Sequence, residues 1–361
     1  KTARNGEARV DYTDSTDGAL LLEPARTNLI TYSEDFSNDY WNKSSTSVVS
    51  GFVSPSGTLN AFKFVENTSN SNHWMYSGVF NITATNNNFS FFVKPNGRTK
   101  VAIRESGNTG KYASFNLTTK SVIDQNGTDA KIEEMSNGWL RISFNNLTTT
   151  VTAVGFFLLS DEYVSGQPYG QFYTGDGASG VYIWGAQAEA GSYATSYIPT
   201  SGSAVTRVAD ACSGAGNSEV FNDSEGVMYV ECSLVDDGTF GTAIEISNDE
   251  TVTSDFYLIY KTSSNGFSAR VRVGGSNETD INTLTGLQEG FYKMAFVYNQ
   301  TSYSFFVNGF KIGTVSNSNL LSNLNVIQQK AGSANPFKGL TKQIQYFDSA
   351  LTDAELIALT T

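Results

Sequence analysis

Short runs in which apolar and polar residues alternate, each closed by a turn signal, fill most of this chain. Asn88-Phe89-Ser90-Phe91-Phe92-Val93-Lys94 runs into Pro95-Asn96-Gly97, which turns the backbone. Over residues 100–105, Val101 and Ile103 alternate against Ala102 and Arg104. Over 112–117, Ala113, Phe115 and Leu117 alternate against Tyr112, Ser114 and Asn116, and Leu140, Ile142 and Phe144 repeat the period after Asn137-Gly138. A period of two sends successive side chains to opposite faces of a strand, so one set meets a core and the other solvent. Residues 151–159 are nearly continuous in apolar side chains, which predicts a strand buried on both faces, and 181–189 closes the set. Short alternating strands with regular turns predict a β-sandwich.

A small-residue stretch, Ser201-Gly202-Ser203-Ala204-Val205-Thr206-Arg207, follows Pro199 and reads as a boundary. Beyond it, 226–234, 256–261, 266–274, 290–299 and 302–315 read as a second set of strands. Asn308-Gly309 suits a type I′ hairpin, where both turn residues need positive φ. A last strand is expected at 340–347. Thr352 and Glu355 then form a capping-box pattern that predicts a short terminal helix. The chain is thus expected to be all-β, two tandem antiparallel sandwiches: a lead-in over 1–24, one domain over 25–205 and a second over 206–361.

Composition supports this reading. The 361 residues exceed what one core usually serves. Aromatic residues make up 13% and charged residues only 16%, with 33 glycines for turns. A net charge of −12 repels phosphate backbones and anionic membranes, so nucleic acid and membrane are not expected partners. No apolar run is long enough to cross a bilayer and no signal-peptide pattern is present. Because the chain starts at Lys1 rather than Met, it reads as a piece of a longer protein or a processed product. Cys232 shares the inward phase of its strand, which favours a buried free thiol, although a bridge to Cys212 is not excluded by sequence. Asp11, Asp14 and Asp17 are spaced by three, not by the two of a calcium loop, and read as a solvated turn.

Two frames carry a family resemblance. Leu20-Leu21-Leu22-Glu23-Pro24-Ala25-Arg26-Thr27-Asn28-Leu29-Ile30 opens a segment closed by Ile183-Trp184-Gly185-Ala186-Gln187-Ala188-Glu189-Ala190-Gly191 and Tyr197-Ile198-Pro199-Thr200. With Asn137-Gly138-Trp139-Leu140-Arg141, these residues resemble the carbohydrate-binding-type jelly-roll modules of bacteriophage tail fibres over 20–207. The Val307-Asn308-Gly309 hairpin and the Leu351-Thr352-Asp353-Ala354-Glu355-Leu356 tail resemble the concanavalin A-like, laminin-G-type lectin fold. The resemblance implies a non-catalytic adhesion component on a virion surface or outside the cell. Its expected partners are surface glycans and other virion proteins, and its expected state a homo-oligomer such as a trimer. It also implies framework roles for Arg26 and Trp184. Trp139 and Arg141 are expected to stack as a cation–π pair. A structural calcium is common in such modules; Glu34, Asp35 and Glu189 show no ligand spacing, so no metal or cofactor is assigned. The alternatives are an assembly unit without a ligand, or the accessory module of a secreted polysaccharide-degrading enzyme.

A sugar offers an apolar face and a rim of hydroxyls, so its site needs an aromatic platform off the core phase and a few fixed polar groups. Trp74 and Tyr112 fit this best. His73, Tyr76 and Arg104, with Tyr163 and Tyr169 in a Gly-rich loop, complete the expected group. Tyr257, Arg270 and Arg272 are expected off the core phase in the second domain. Enzymatic patterns are absent. His73 is the sole histidine, no Gly-x-Ser-x-Gly elbow occurs, and zinc ligands and phosphate loops are missing. Glu245-Ile246-Ser247-Asn248-Asp249-Glu250 resembles a glucanase catalytic strand, but Ser247 stands where that pattern has Asp.

Overall fold

The structure is a computed structural model. It describes residues 9–12, 18–82, 84, 86–106, 111–126, 128–146, 151–210, 212–249, 254–317, 319–330 and 335–361. The chain is almost entirely antiparallel β, with a single α-helix among the described residues, Asp353–Thr360. It divides into two compact units, one of residues 26–207 and one joining 208–361 to the segment ending at Ala25.

The first unit holds two six-stranded sheets. One runs Ser121–Asn126, Tyr112–Asn116, Lys100–Ser106, Ala153–Leu159, His73–Tyr76, Asn42–Ser44. The other runs Thr128–Glu134, Leu140–Asn146, Asn87–Asn96, Gly180–Ala190, Ala61–Glu66, Thr46–Phe52. Their apolar faces share one core, to which Val101, Ile103, Ala113 and Phe115 contribute from the first sheet and Phe91, Ile142 and Phe144 from the second. The Phe156 ring bridges the sheets, 5.8 Å from Phe64 and 5.2 Å from Phe91. Burying side chains of this size supplies the main driving force, roughly 1.5–3 kcal/mol each. Ala153–Leu159 is buried on both faces: Val154, Phe156 and Leu158 enter the core, while Phe157 and Leu159 lie beneath a covering loop.

The terminal motifs act as framework. Buried Asn28 donates from Nδ2 to the carbonyls of Ala186 (3.1 Å) and Ile198 (2.9 Å), and its Oδ1 accepts from the Ile30 and Ala188 amides. Gln187 Oε1 accepts from Ile198 N at 2.7 Å, and Glu189 accepts from the amide and hydroxyl of Thr195. These side chains satisfy backbone groups that strands alone would leave unpaired, each an omission costing about 1–3 kcal/mol. Arg26 lies 3.8 Å from Glu189, in keeping with a framework role. Arg141 departs from expectation. Its guanidinium sits 5.2 Å over Phe92 and donates to Ser90 Oγ, while Trp139 packs into a side cluster with Phe92 and Trp184. The neighbouring strand offers the ring, which spacing along one strand could not reveal.

The second unit has a seven-stranded and a five-stranded sheet. The first runs Val10–Asp11, Ala19–Leu22, Gly339–Phe347, Gly226–Leu234, Gly290–Tyr298, Ser302–Val307, Phe310–Ser316. The second runs Ser276–Leu284, Gly266–Val273, Phe256–Thr262, Gly241–Ser247, Val326–Gln328. The segment read as a separate lead-in therefore supplies strands here: Leu20, Leu21 and Leu22 pair with Thr341, Leu340 and Gly339. Asp14 and Asp17 lie outside the described residues. Asn308 and Gly309 have φ of 46° and 80°, as a type I′ turn requires. Thr352 and Glu355 form the reciprocal capping box. Leu356 of the helix then packs on Val227, Tyr229, Ala295 and Phe306, the back of the seven-stranded sheet. Cys232 is buried in the core, Cys212 is half-buried, and both are free thiols.

Candidate functional site

The outer face of one sheet of the first unit gathers most of the expected side chains. Strand register sets Tyr76 opposite Gly155, Gly155 opposite Arg104, Arg104 opposite Tyr112 and Tyr112 opposite Asn126. The next row is Trp74, Phe157, Ala102, Ser114 and Asp124. The alternate positions Met75, Phe156, Ile103 and Ala113 point into the core. The period of two thus fixes which side chains share this face.

The loop over residues 160–172 closes one end of the face. Lys100 Nζ donates to the carbonyls of Asp161 and Tyr163 at 2.7 and 2.8 Å, and Gly166 N donates to Asp124 Oδ2 at 3.0 Å. Tyr169 stands 5.5 Å from Phe157 and 4.6 Å from Tyr112. Trp74 meets Tyr76 edge-on at 5.1 Å, and Tyr76 meets Phe157 at 5.7 Å. Arg104 Nη1 donates to the Tyr76 hydroxyl at 2.8 Å, and its guanidinium lies 5.2 Å over Tyr169. Trp74, Tyr76, Arg104, Tyr112 and Tyr169 are all half-buried, so each is fixed by packing and still presents an edge to solvent. Burial pushes the Tyr112 hydroxyl up to about 12, helped by Tyr163 and Asp124. It therefore stays protonated, donating to Asp124 Oδ2 at 3.3 Å. Burial likewise raises the Tyr76 hydroxyl, with Arg104 acting in the opposite sense.

Two expected members are not part of this surface. His73 is fully buried on the inward side of its strand. Its Nδ1 lies 2.8 Å from Ser45 O and its Nε2 3.2 Å from Tyr173 O, so the ring is engaged by backbone. Four consecutive residues, His73-Trp74-Met75-Tyr76, alternate within a strand, so Trp74 and His73 cannot share a face. Tyr163 is also fully buried, packed on Ala102, Phe157 and Leu159 with its hydroxyl donating to Gln167 O at 3.1 Å. It anchors the loop rather than meeting a ligand. The sequence reading missed Gly155 and Phe157, which form the floor, and Phe172, a 71% exposed aromatic in the same loop. Phe157 lies in an apolar run over 151–159 in which periodicity does not choose between the two faces.

Elsewhere in the first unit, Tyr32, Glu34, Asp35, Asn60, Phe62 and Thr200 line a cleft of about 330 Å³. Asn60 Nδ2 and the Tyr197 hydroxyl donate to the two oxygens of Glu34. No group of three or more His, Cys, Asp or Glu side chains among the described residues forms a metal position.

In the second unit Tyr257 contradicts its expected phase. It is fully buried, stacked 4.4 Å from Tyr298, and its hydroxyl accepts from Leu321 N. Phe256, Leu258 and Tyr260 take the outer face instead. Arg270 and Arg272 do lie on that face, Arg270 paired with Asp280 at 2.6 Å and Arg272 bonded to Gly275 O. Glu245 is fully buried, its Oε1 accepting from Gln328 and Ser247. Glu250 lies outside the described residues.

No curated protein matches this chain. Among solved structures, the Ruminococcus gnavus IT-sialidase CBM40 aligns with 18% identity and a TM-score of 0.35, over 41% of this chain and 94% of its own. The NanB sialidase from Streptococcus pneumoniae aligns with 16% identity and a TM-score of 0.34, over 41% and 26%. The SAP-like pentraxin from Limulus polyphemus aligns with 12% identity and a TM-score of 0.35, over 42% and 75%. Residues 220–357 match the family model of the concanavalin A-like lectin/glucanases superfamily, so the second unit carries a domain of that type.

Proposed function

We propose that this chain is a non-catalytic, glycan-binding adhesion protein, with a sugar site on the outer sheet face of the first unit. The observation that carries this is the convergence of Trp74, Tyr76, Tyr112 and Tyr169 around Arg104, all half-exposed and held by one another. Aromatic rings accept the apolar face of a pyranose, and phenol and guanidinium groups meet its hydroxyls. The lectin-type domain in the second unit is consistent with the same class of ligand. The setting is a phage fibre, tail or capsid appendage at the virion surface, which the resemblance over 20–207 supports. There, several copies would raise weak single-site binding through avidity.

The test is a glycan array on the whole chain and on Trp74→Ala and Tyr112→Ala. Selective binding that falls about tenfold or more in either variant supports the site. Binding unchanged in both removes the first unit's face from the proposal. No binding by folded protein favours a purely structural assembly role.

A further inference from the structure

We infer that the saccharide taken at this face carries a carboxylate, and that Arg104 is the group that recognises it. This rests on the glycan-binding reading above and adds the chemical class of the ligand.

The inference comes from what Arg104 lacks. Its Nη1 bonds the neutral Tyr76 hydroxyl and its flat face meets Tyr169. It makes no ion pair among the described residues, and its Nε is buried without a hydrogen-bond partner. Acids are not scarce in this chain, with 35 against 23 basic residues. Arg98 is paired with Glu66 and Asp161, Arg9 with Glu23 and Asp210, and Arg270 with Asp280; Arg141 and Arg272, which show no ion pair among the described residues, are instead held by Ser90 Oγ and by Gly275 O. The carboxylate on the same face, Asp124, is engaged by the Tyr112 hydroxyl and the Gly166 amide. Glu105, next in sequence, is buried and accepts from Lys111 N.

A guanidinium stripped of part of its water and given no counter-charge is electrostatically incomplete. A ligand carboxylate completes it, because the planar fork matches two carboxylate oxygens in charge-assisted hydrogen bonds. Lys111 adds a second cation near this row; its Nζ is 3.3 Å from Asn126 Oδ1, and Asn126 pairs with Tyr112. The tyrosines supply the apolar wall for the ring that bears the acid.

The experiment titrates the whole chain with oligogalacturonate, hyaluronan oligosaccharides and oligosialic acid. Each is set beside its carboxyl-reduced counterpart, in which the carboxylate has become a primary alcohol. The expected result is an acidic saccharide bound at least about tenfold more tightly than its reduced form, with Arg104→Gln lowering the acid to the reduced level. Equal binding of acidic and reduced forms, or binding confined to neutral glycans, overturns the carboxylate inference and leaves glycan binding standing. So does an Arg104→Gln variant that binds the acid as the parent does. Absence of binding to every saccharide by folded protein overturns both readings. The acid-against-alcohol comparison uses the unaltered chain, so it decides the matter even if Arg104→Gln fails to fold.

Discussion

The Tyr76 ring lies over Gly155: a Cβ built on that glycine would come within 2.6 Å of the ring's Cε1 and Cζ. From this position the phenol reaches Arg104 Nη1 at 2.8 Å. A residue with no side chain thus sets the placement of the only side-chain hydrogen bond Arg104 makes among the described residues.

Gly155→Ala should therefore separate binding from stability. The added methyl turns the Tyr76 ring aside, and the strain is offset in part by the roughly 0.4–1 kcal/mol that a Gly→Ala change gains through the unfolded chain. Denaturant unfolding should shift by no more than about 1 kcal/mol, while glycan affinity falls about tenfold. Unaltered affinity would show that the Tyr76–Arg104 contact is not part of the site.

A buried ion pair in the second unit predicts acid sensitivity. Lys261 Nζ bonds Asp237 with both side chains almost fully buried, 2% and 5% exposed. Burial raises the Asp237 pKa, but hydrogen bonds from Lys261 and Thr239 outweigh it, and the net shift is downward from 3.8. A lowered folded-state pKa means stability that is present above about 3.8 and lost as pH falls through the folded value. Asp237→Asn leaves the ammonium without its carboxylate and should cost about 3–5 kcal/mol. Urea titrations between pH 7 and pH 3 check both statements, and a flat profile would contradict the first.

The two thiols should differ in reactivity. Burial pushes both up, and Cys232 is fully enclosed while Cys212 is half-buried. With Ellman's reagent at neutral pH, native protein should show at most slow labelling, confined to Cys212. Denatured, unreduced protein should release two equivalents, one for each free thiol. Fewer would reveal a bridge.

Thr352→Ala removes one half of the capping box that starts the terminal helix. The expected loss is about 0.5–2 kcal/mol in the second unit. Thr352→Ser should recover most of it, since its hydroxyl makes the same bond. A melting temperature unmoved by Thr352→Ala would indicate that Leu356 packing alone holds the helix.

Much of the candidate face was legible because its signal is local. Arg104 and Tyr112 stand off the core phase of strands whose period is plain in sequence, and the strands that pair them follow one another. Tyr163 was misread because its burial depends on a loop folding back over a distant strand. Tyr257 was misread for another reason. Phe256-Tyr257-Leu258-Ile259-Tyr260 is apolar at every position, so periodicity cannot choose its inward face; the opposing sheet does. Ser276–Leu284 escaped notice because an edge strand is polar and draws its partners from Gly266–Val273. The pairing of Ala19–Leu22 with Gly339–Phe347 has no local signature at all.

That last pairing bears on the order of assembly. Between Ala25 and Val208 the chain leaves the second unit to build the first, whose own ends are zipped together: Arg26 faces Arg207 and Thr27 faces Thr206. Before the first unit folds, seating Ala19–Leu22 means closing a loop of well over 180 residues. Afterwards its zipped ends act as a clasp, and the effective loop between Leu22 and Gly339 contracts roughly twofold, worth about 0.6 kcal/mol of closure entropy at about 0.6 kcal/mol per doubling. The short seam of Arg26–Asn28 with Val205–Arg207 thereby becomes a timing device: the lectin-type unit completes its edge most readily on a chain whose other unit is already formed.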